Sequence, residues 1–423
     1  MKRREFLGIT AGAGAALAVT PELLCALQAL QQPGGKLIHR AIPSSGEMLP
    51  VIGLSRGNIP ADPAALKEVF KTLVDHGGRL LDTVHGGASA EQAAGTIAGE
   101  LGIGSRIFWS TKVSAPRPPF GTVTPKVDPA AAKTHIEASF TRLKVPTIDL
   151  IHVRPFDDVP GYLAVLREMK KAGRVRYIGV TAAFPNQHAQ LESIMRNEPI
   201  DFISVDYAID NRTVEQTILP LARERKIAVL ANFPFGGNSG PNNTIVNRLF
   251  RRTANTPLPE WAAEFDAKSW GQFFLKYIIS HPAVTAVRAG TEKAHHMLDN
   301  LGGGTGRLPN EATRKRMAQF VDALPEVADA APQGPPQVAV PAAILDRYVG
   351  AYTAASGILL TFRRDGARLF VKPGADSEIP LVARSETRFS AGPIAIEFQL
   401  DNQGKVTGAI LEEGPQRTAL ERK

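Results

Sequence analysis

Cysteine is almost missing from this chain: its 423 residues contain one, Cys25. A single thiol excludes an internal disulfide framework and any metal site built from clustered cysteines. Long apolar runs are missing as well. No uninterrupted stretch approaches the roughly 20 residues that span a bilayer, and the mean hydropathy is -0.08. No segment interleaves Lys or Arg with aromatics as nucleic-acid surfaces do. The net charge of +8 therefore reads as a solvated basic surface with no nucleic-acid partner. Hydrophobic residues at 43% are too many for a disordered chain. The glycine fingerprint G-x-G-x-x-G is also absent after the first strand, where Gly53-Leu54-Ser55-Arg56-Gly57 stands instead. That argues against a doubly wound dinucleotide-binding sheet.

The first 18 residues read as an address. Lys2, Arg3 and Arg4 precede a Gly/Ala-rich run that ends in a small-x-small site at Ala16-Leu17-Ala18. Arg3-Arg4-Glu5-Phe6-Leu7 resembles a twin-arginine signal, which a translocase reads when it exports folded proteins. The expectation is a signal peptide over 1–18, the translocase as a transient partner, and a periplasmic or extracellular destination. Its removal takes +2 from the charge and leaves about +6. Cys25 follows Glu22-Leu23-Leu24, which lacks the small residue a lipidation site wants before its cysteine.

What is present is a repeat. From about residue 36 to 325, short β-branched runs alternate with helical stretches. The runs are Pro50–Leu54, Arg79–Asp82, Ile107–Lys112, Ile148–Val153, Val175–Val180, Phe202–Val205, Ile227–Ala231 and Val284–Val287. Near-continuous apolar strands are what a parallel sheet covered on both faces requires. Eight strand–helix units over this length predict an α/β fold, a (β/α)8 TIM barrel. Ahead of it, segments 37–40 and 47–49 flank a Pro-Ser-Ser-Gly turn and predict a hairpin that plugs the barrel floor. Chemistry in such barrels sits at the C-terminal strand ends. Those ends carry Asp82, Lys112, His152, Arg154, Thr181, Asp206, Asn232 and Gly290.

After Leu324 the helical pattern stops. Residues 328–341 are Pro/Ala-rich and read as a stiff linker. Over 342–423 the period becomes two. Hairpins are predicted about Arg364-Asp365-Gly366 and Asp401-Asn402-Gln403-Gly404. The expectation is a small antiparallel β domain with an accessory role. Leu345 to Tyr352, with Gly404 to Gly408, resembles a lipocalin-like β domain.

Several motifs, in their order, resemble the aldo/keto reductase family. Ile42-Pro43-Ser44-Ser45-Gly46 through Leu54 is similar to its opening hairpin and first strand. Leu81-Asp82-Thr83, with Ser89, Glu91 and Gly95, resembles its second-strand loop. Thr111-Lys112, Ile148-Asp149-Leu150, Tyr177-Ile178-Gly179-Val180 and Gly290-Thr291 through Asp299-Asn300 follow. The resemblance implies hydride transfer between NADP(H) and a small carbonyl substrate. A tyrosine gives the proton, a lysine lowers its pKa, an aspartate anchors the lysine and a histidine orients the carbonyl. It assigns Asp82 as the anchor and Lys112 as the ammonium; their ordinary alternative is a barrel-mouth salt bridge. Gly87 stands where the tyrosine is expected, and Arg154 where the histidine is expected.

His85 and His152 are the available stand-ins, since imidazole titrates near neutrality. Each is weighed against a rim or core histidine. Arg154 suits a substrate carboxylate or phosphate, against a plain ion pair with Asp157 or Asp158. For the cofactor, Gly290, Thr291, Lys293 and Asn300 match the adenine and 2′-phosphate loop, and a helix start there offers N–H donors. Thr181 keeps a hydroxyl at the nicotinamide end. There Ala182 replaces an asparagine, Ser204 a glutamine, and Asn232 an aromatic stacking residue, while Arg56 replaces a small polar residue near strand one. Two functions follow: an exported NADP(H)-dependent oxidoreductase with a rebuilt reactive end, or a reductase-derived protein holding an anion with Arg56, Lys112 and Arg154.

Overall fold

The computed structural model describes residues 35–56, 62–83, 88–113, 126–154, 158–237, 247–325, 338–354, 357, 359–374, 378–391, 394–413 and 416–423. Residues 1–18, expected to be a signal, Cys25, His85 and Gly87 lie outside these, as do the side chain of Arg56 and most of the expected linker.

A hairpin comes first, with β1 at His39–Ala41 paired to β2 at Met48–Pro50. Eight parallel strands then close a barrel in chain order. They are β3 Ile52–Arg56, β4 Leu80–Thr83, β5 Phe108–Val113, β6 Ile148–Val153, β7 Val175–Ala182, β8 Phe202–Asp206, β9 Ala228–Asn232 and β10 Val284–Gly290. Pro50 and Val51 lie outside the first barrel strand: Pro50 ends the hairpin, and the barrel ladder starts at Ile52. The main helices are α1 Pro63–Asp75, α2 Ala88–Leu101, α3 Pro129–Leu143, α4 Val159–Lys171, α5 His188–Asn197, α6 Ile218–Glu224, α7 Arg248–Thr253, α8 Trp270–Ile279, α9 Ala294–Gly303 and α10 Glu311–Asp322.

Three helices start by one device. Asp62, Asp128 and Asp158 accept hydrogen bonds from first-turn amides of α1, α3 and α4, each with a proline in that turn. The aspartate satisfies an otherwise orphaned N–H, and the proline supplies a helical φ without needing a donor. The buried stripe of α1, Leu66, Val69, Phe70, Leu73 and Val74, then faces the strands.

The hairpin plugs the barrel floor. Ile42 and Leu49 pack into one cluster with Leu80, Phe108, Leu150, Tyr177, Phe202, Ala228, Leu230 and Ala286. Glu47 latches it, accepting from the Tyr177 hydroxyl at 2.7 Å and from the guanidinium groups of Arg79 and Arg176. Because strand side chains alternate, the residue two positions beyond each floor residue forms the next inward layer.

The tail holds a second closed barrel, of eight antiparallel strands in sequential order. Its strands are β11 Gly350–Thr353, β12 Leu359–Asp365, β13 Arg368–Pro373, β14 Ile379–Ala383, β15 Arg388–Ala391, β16 Ile394–Leu400, β17 Val406–Glu413 and β18 Gln416–Arg422. The two hairpins expected from the sequence are β12–β13 and β16–β17, with Gly366 (φ 56°) and Gly404 (φ 76°) in their turns. Helical structure does not stop at Leu324, because α11, Ala342–Tyr348, precedes β11. Its Leu345 and Tyr348 are core residues of this barrel, and so is Val340 from the end of the expected linker.

Candidate active site

The second inward layer of the parallel barrel is ionic. Asp82 on β4 is fully buried. Its Oδ1 accepts from Ser110 Oγ at 2.6 Å and its Oδ2 from Lys112 Nζ at 2.6 Å, both from β5. Arg288 on β10 closes on the same Oδ2 from the other side. Arg288 is itself held by Asn232 at the end of β9, whose Oδ1 accepts from Nε at 3.0 Å and also from Nη2. Among the described residues, Lys112 makes one further bond, to Thr83 O at 3.2 Å. His152 on β6 is fully buried, with Nε2 3.0 Å from Ser204 Oγ on β8. Gly179 makes this layer possible, since a Cβ there would lie 2.9 Å from the His152 ring and 2.6 Å from Phe202 O.

The electrostatics follow from burial and shared charge. Burial alone would raise the Asp82 carboxyl, but Arg288 and Lys112 outweigh it and hold it at about 2. Lys112 is brought down to about 8: burial lowers it, Asp82 restores part, and Arg288 and Arg154 lower it again. Burial, then the charges of Arg288 and Lys112, push His152 well below an ordinary histidine, so it is neutral at physiological pH. Near the rim, Asp206 ends β8 with its Oδ1 buried and unpartnered, and burial raises it to about 7.

The sequence-derived residues fall into three groups. Asp82, Lys112, His152 and Ser204 are brought together in the interior, and Arg154 lies half-buried just beyond β6. Thr181 is buried at the C-terminal end of β7. Gly290 ends β10, and Thr291 and Lys293 lead into α9. Lys293 is the N-cap there, with no side-chain capping bond. Asp299 and Asn300 are helix residues of α9, not loop residues. Asp299 accepts from Ser269 Oγ at 2.7 Å and Gln272 Nε2 at 2.8 Å, fixing the start of α8, and Asn300 is buried. Ser204 and Asn232, assigned to the nicotinamide end, hold His152 and Arg288.

Two motif residues near β4 serve packing. Glu91 is buried, pairing with Arg142 at 2.6 Å and accepting from Thr111 Oγ1 at 2.6 Å. A Cβ at Gly95 would lie 2.2 Å from Arg142 O, so only glycine lets α2 approach the end of α3 this closely.

Arg288 is the residue sequence reasoning missed. The signal was there: within apolar β10, Arg288 shares the inward parity of Ala286 and Gly290.

A parallel (β/α)8 barrel with an Asp–Lys pair at the C-terminal end of its strands defines the class of barrel in which active sites occupy that face. The aldo/keto reductase family model matches residues 51–316, and the chain belongs to that family. The chain is 25% identical over 209 residues to "Uncharacterized oxidoreductase YqkF" of Bacillus subtilis, covering 45% of this chain and 66% of that protein. It is 26% identical over 171 residues to "Probable aldo-keto reductase 1" of Glycine max, covering 40% of this chain and 45% of that one. The matches thus span less than two thirds of either relative. Among solved structures, the holo form of aldo-keto reductase AKR11C1 from Bacillus halodurans shares the fold. Its TM-score is 0.54 at 19% identity, covering 70% of this chain and all of that one (100%). Among the described residues no helix is long and apolar enough to cross a membrane. Nor do those residues include a group of three or more His, Cys, Asp or Glu that could hold a metal.

Proposed function

We propose that this protein is an NADP(H)-dependent oxidoreductase that interconverts a small carbonyl compound and its alcohol. The observation that carries the reading is the buried Asp82–Lys112 pair, 2.6 Å apart at the C-terminal face of a barrel of this family. The phosphate end of the cofactor suits the residues present. The Lys293 side chain does not cap the start of α9, a helix N-terminus of the kind that binds phosphate, and Lys293 adds charge. Thr181, Gly290, Thr291, Lys293 and Asn300 are the residues that would hold the group, and when bound it supplies a hydride. Asp82 fixes the Lys112 ammonium, and that ammonium faces the developing negative charge on the substrate oxygen. His152, neutral and bonded to Ser204, lies in register with Lys112 on the adjacent strand.

We read residues 1–18 as a twin-arginine signal that delivers the folded, loaded enzyme to the periplasm or beyond. The lipocalin-like reading of the tail makes it an accessory module. A second reading, an anion-binding protein without turnover, is favoured by the charge count, since Lys112 and Arg288 share one carboxylate.

Oxidation of NADPH against a panel of aldehydes, ketones and oxo-acids separates the two. The oxidoreductase reading expects turnover that falls at least about 100-fold in Lys112→Met, the scale of one positioned acid–base or electrostatic group. Turnover that survives this substitution removes Lys112 from the mechanism. Anion binding without turnover across the panel selects the second reading.

A further inference from the structure

Three features of the ionic layer are not explained by an Asp–Lys pair alone. First, the one oxygen of Asp82 that holds Lys112 also holds Arg288, so neither cation has a full carboxylate. Second, Arg288 is held in that position by two bonds to Asn232. Third, exposure is graded. Asp82 is 0% exposed at its side chain, Arg288 3% and Lys112 9%, so the lysine is the outermost member and the one nearest the mouth. Among the described residues, two of its three ammonium hydrogens go to Asp82 and Thr83 O, which leaves the third for an incoming oxygen.

We propose that Lys112 itself donates the proton to the substrate oxygen, and that Arg288 is the positioning residue that fits it for this by sharing the Asp82 carboxylate. This rests on the oxidoreductase reading above and adds the source of the proton. As the hydride arrives at the carbonyl carbon, the C=O π pair moves to oxygen. The Lys112 N–H bond breaks, an O–H bond forms, and the pair from the N–H bond stays on Nζ. The neutral amine is reprotonated from water. No phenol is needed at position 87 for this balance.

His152 is not the donor, because its neutral ring lies fully buried and its Nε2 is paired with Ser204. The charged groups acting on Lys112 include Asp82 from β4, Arg288 from β10 and Arg154 from the end of β6, and the titratable His152 faces it in register from β6. An ordinary lysine is too weak an acid for efficient transfer near neutrality. One brought to about 8 is well matched.

The test is a pH titration of lysines carrying 13C at Cε, followed by NMR in the full chain. The Lys112 signal is assigned by its loss in Lys112→Arg. The wild-type midpoint is expected near 8, and a midpoint at or above that of ordinary lysines overturns the proposal without any variant. Arg288→Gln should raise the midpoint by about one pH unit, a tenfold change in the ammonium-to-amine ratio at fixed pH. Arg288→Lys, which keeps the charge, should largely retain the low value. An unmoved midpoint in folded Arg288→Gln overturns the role given to Arg288. Once a carbonyl substrate is in hand, the basic limb of kcat/KM should move upward in step with the Lys112 midpoint. NADPH turnover with an ordinary Lys112 titration would sink this inference and leave the oxidoreductase reading standing. Absence of NADPH binding would sink that reading whatever the titration shows.

Discussion

The molecule contains two closed barrels of eight strands each, and they fill their interiors in opposite ways. The antiparallel barrel is filled by aromatics. Tyr348 stacks on Phe398 at 4.1 Å, and Tyr352, Phe362 and Phe389 meet the same ring edge-on at 5.7, 5.0 and 5.7 Å. The parallel barrel is apolar only at its floor. One layer up it places Asp82, Arg288, His152, Ser110 and Ser204, with Lys112 bonded to Asp82 from the next inward position along β5, where packing alone would favour aliphatic side chains. Buried charge costs free energy unless paired, and replacing a buried ionic cluster by apolar residues is often neutral or stabilising. The ionic layer is therefore weak as a stability device and strong as a marker of chemistry. The aromatic core marks a module whose interior is spent on folding.

Breaking this contrast is most direct at Asp82. Asp82→Asn leaves Lys112 and Arg288 facing each other without a counter-charge, and is expected to cost about 3–5 kcal/mol. Denaturant unfolding followed at the parallel barrel measures it, and a loss under about 1 kcal/mol would mean that the layer is hydrated and only loosely paired. Phe398→Ala removes the ring at the centre of the other barrel and is expected to cost about 3 kcal/mol there. The two barrels have separate hydrophobic cores, so this change should lower one calorimetric transition and leave the other in place.

A smaller and opposite effect sharpens the comparison within the parallel barrel. Asp82 is a carboxylate with two cations, whereas Asp206 has a buried oxygen without a partner. The folded pKa of Asp206, about 7, lies above the unfolded value, so the folded state binds more protons between about pH 4 and 7. Stability is then lost as pH rises through that window. Asp206→Asn should match wild type below pH 4 and exceed it by about 1–2 kcal/mol above pH 7, once partial exposure is discounted. A constant difference across pH would show that Asp206 is not the titrating group.

Much of the fold was legible because its signals are local. Apolar runs such as Ile148–Val153 each declare an element within a few residues. The second barrel was legible as a period-two antiparallel β domain with two tight turns, but not as eight strands closing on themselves. Strands such as Gly350–Thr353 and Arg388–Ala391 are four residues long and half-buried, too short to show a period against their flanks. The site divides along the same line. Asp82 and Lys112 stand at the ends of recognisable strands. Arg288 takes its meaning from a carboxylate some two hundred positions away, which only closure of β10 against β3 brings within reach. Glu91 and Asp299 carry the opposite lesson, since motif residues near a site can be committed to holding helices together.

The central claim is that the ionic layer serves a nicotinamide-dependent reaction. Calorimetric titration of the full chain with NADPH tests it most directly. The account predicts saturable binding at sub-millimolar concentration, weakened several-fold by Lys293→Glu at the start of α9. Heats no larger than dilution across that range would contradict it and leave the barrel as a binding protein for some other anion.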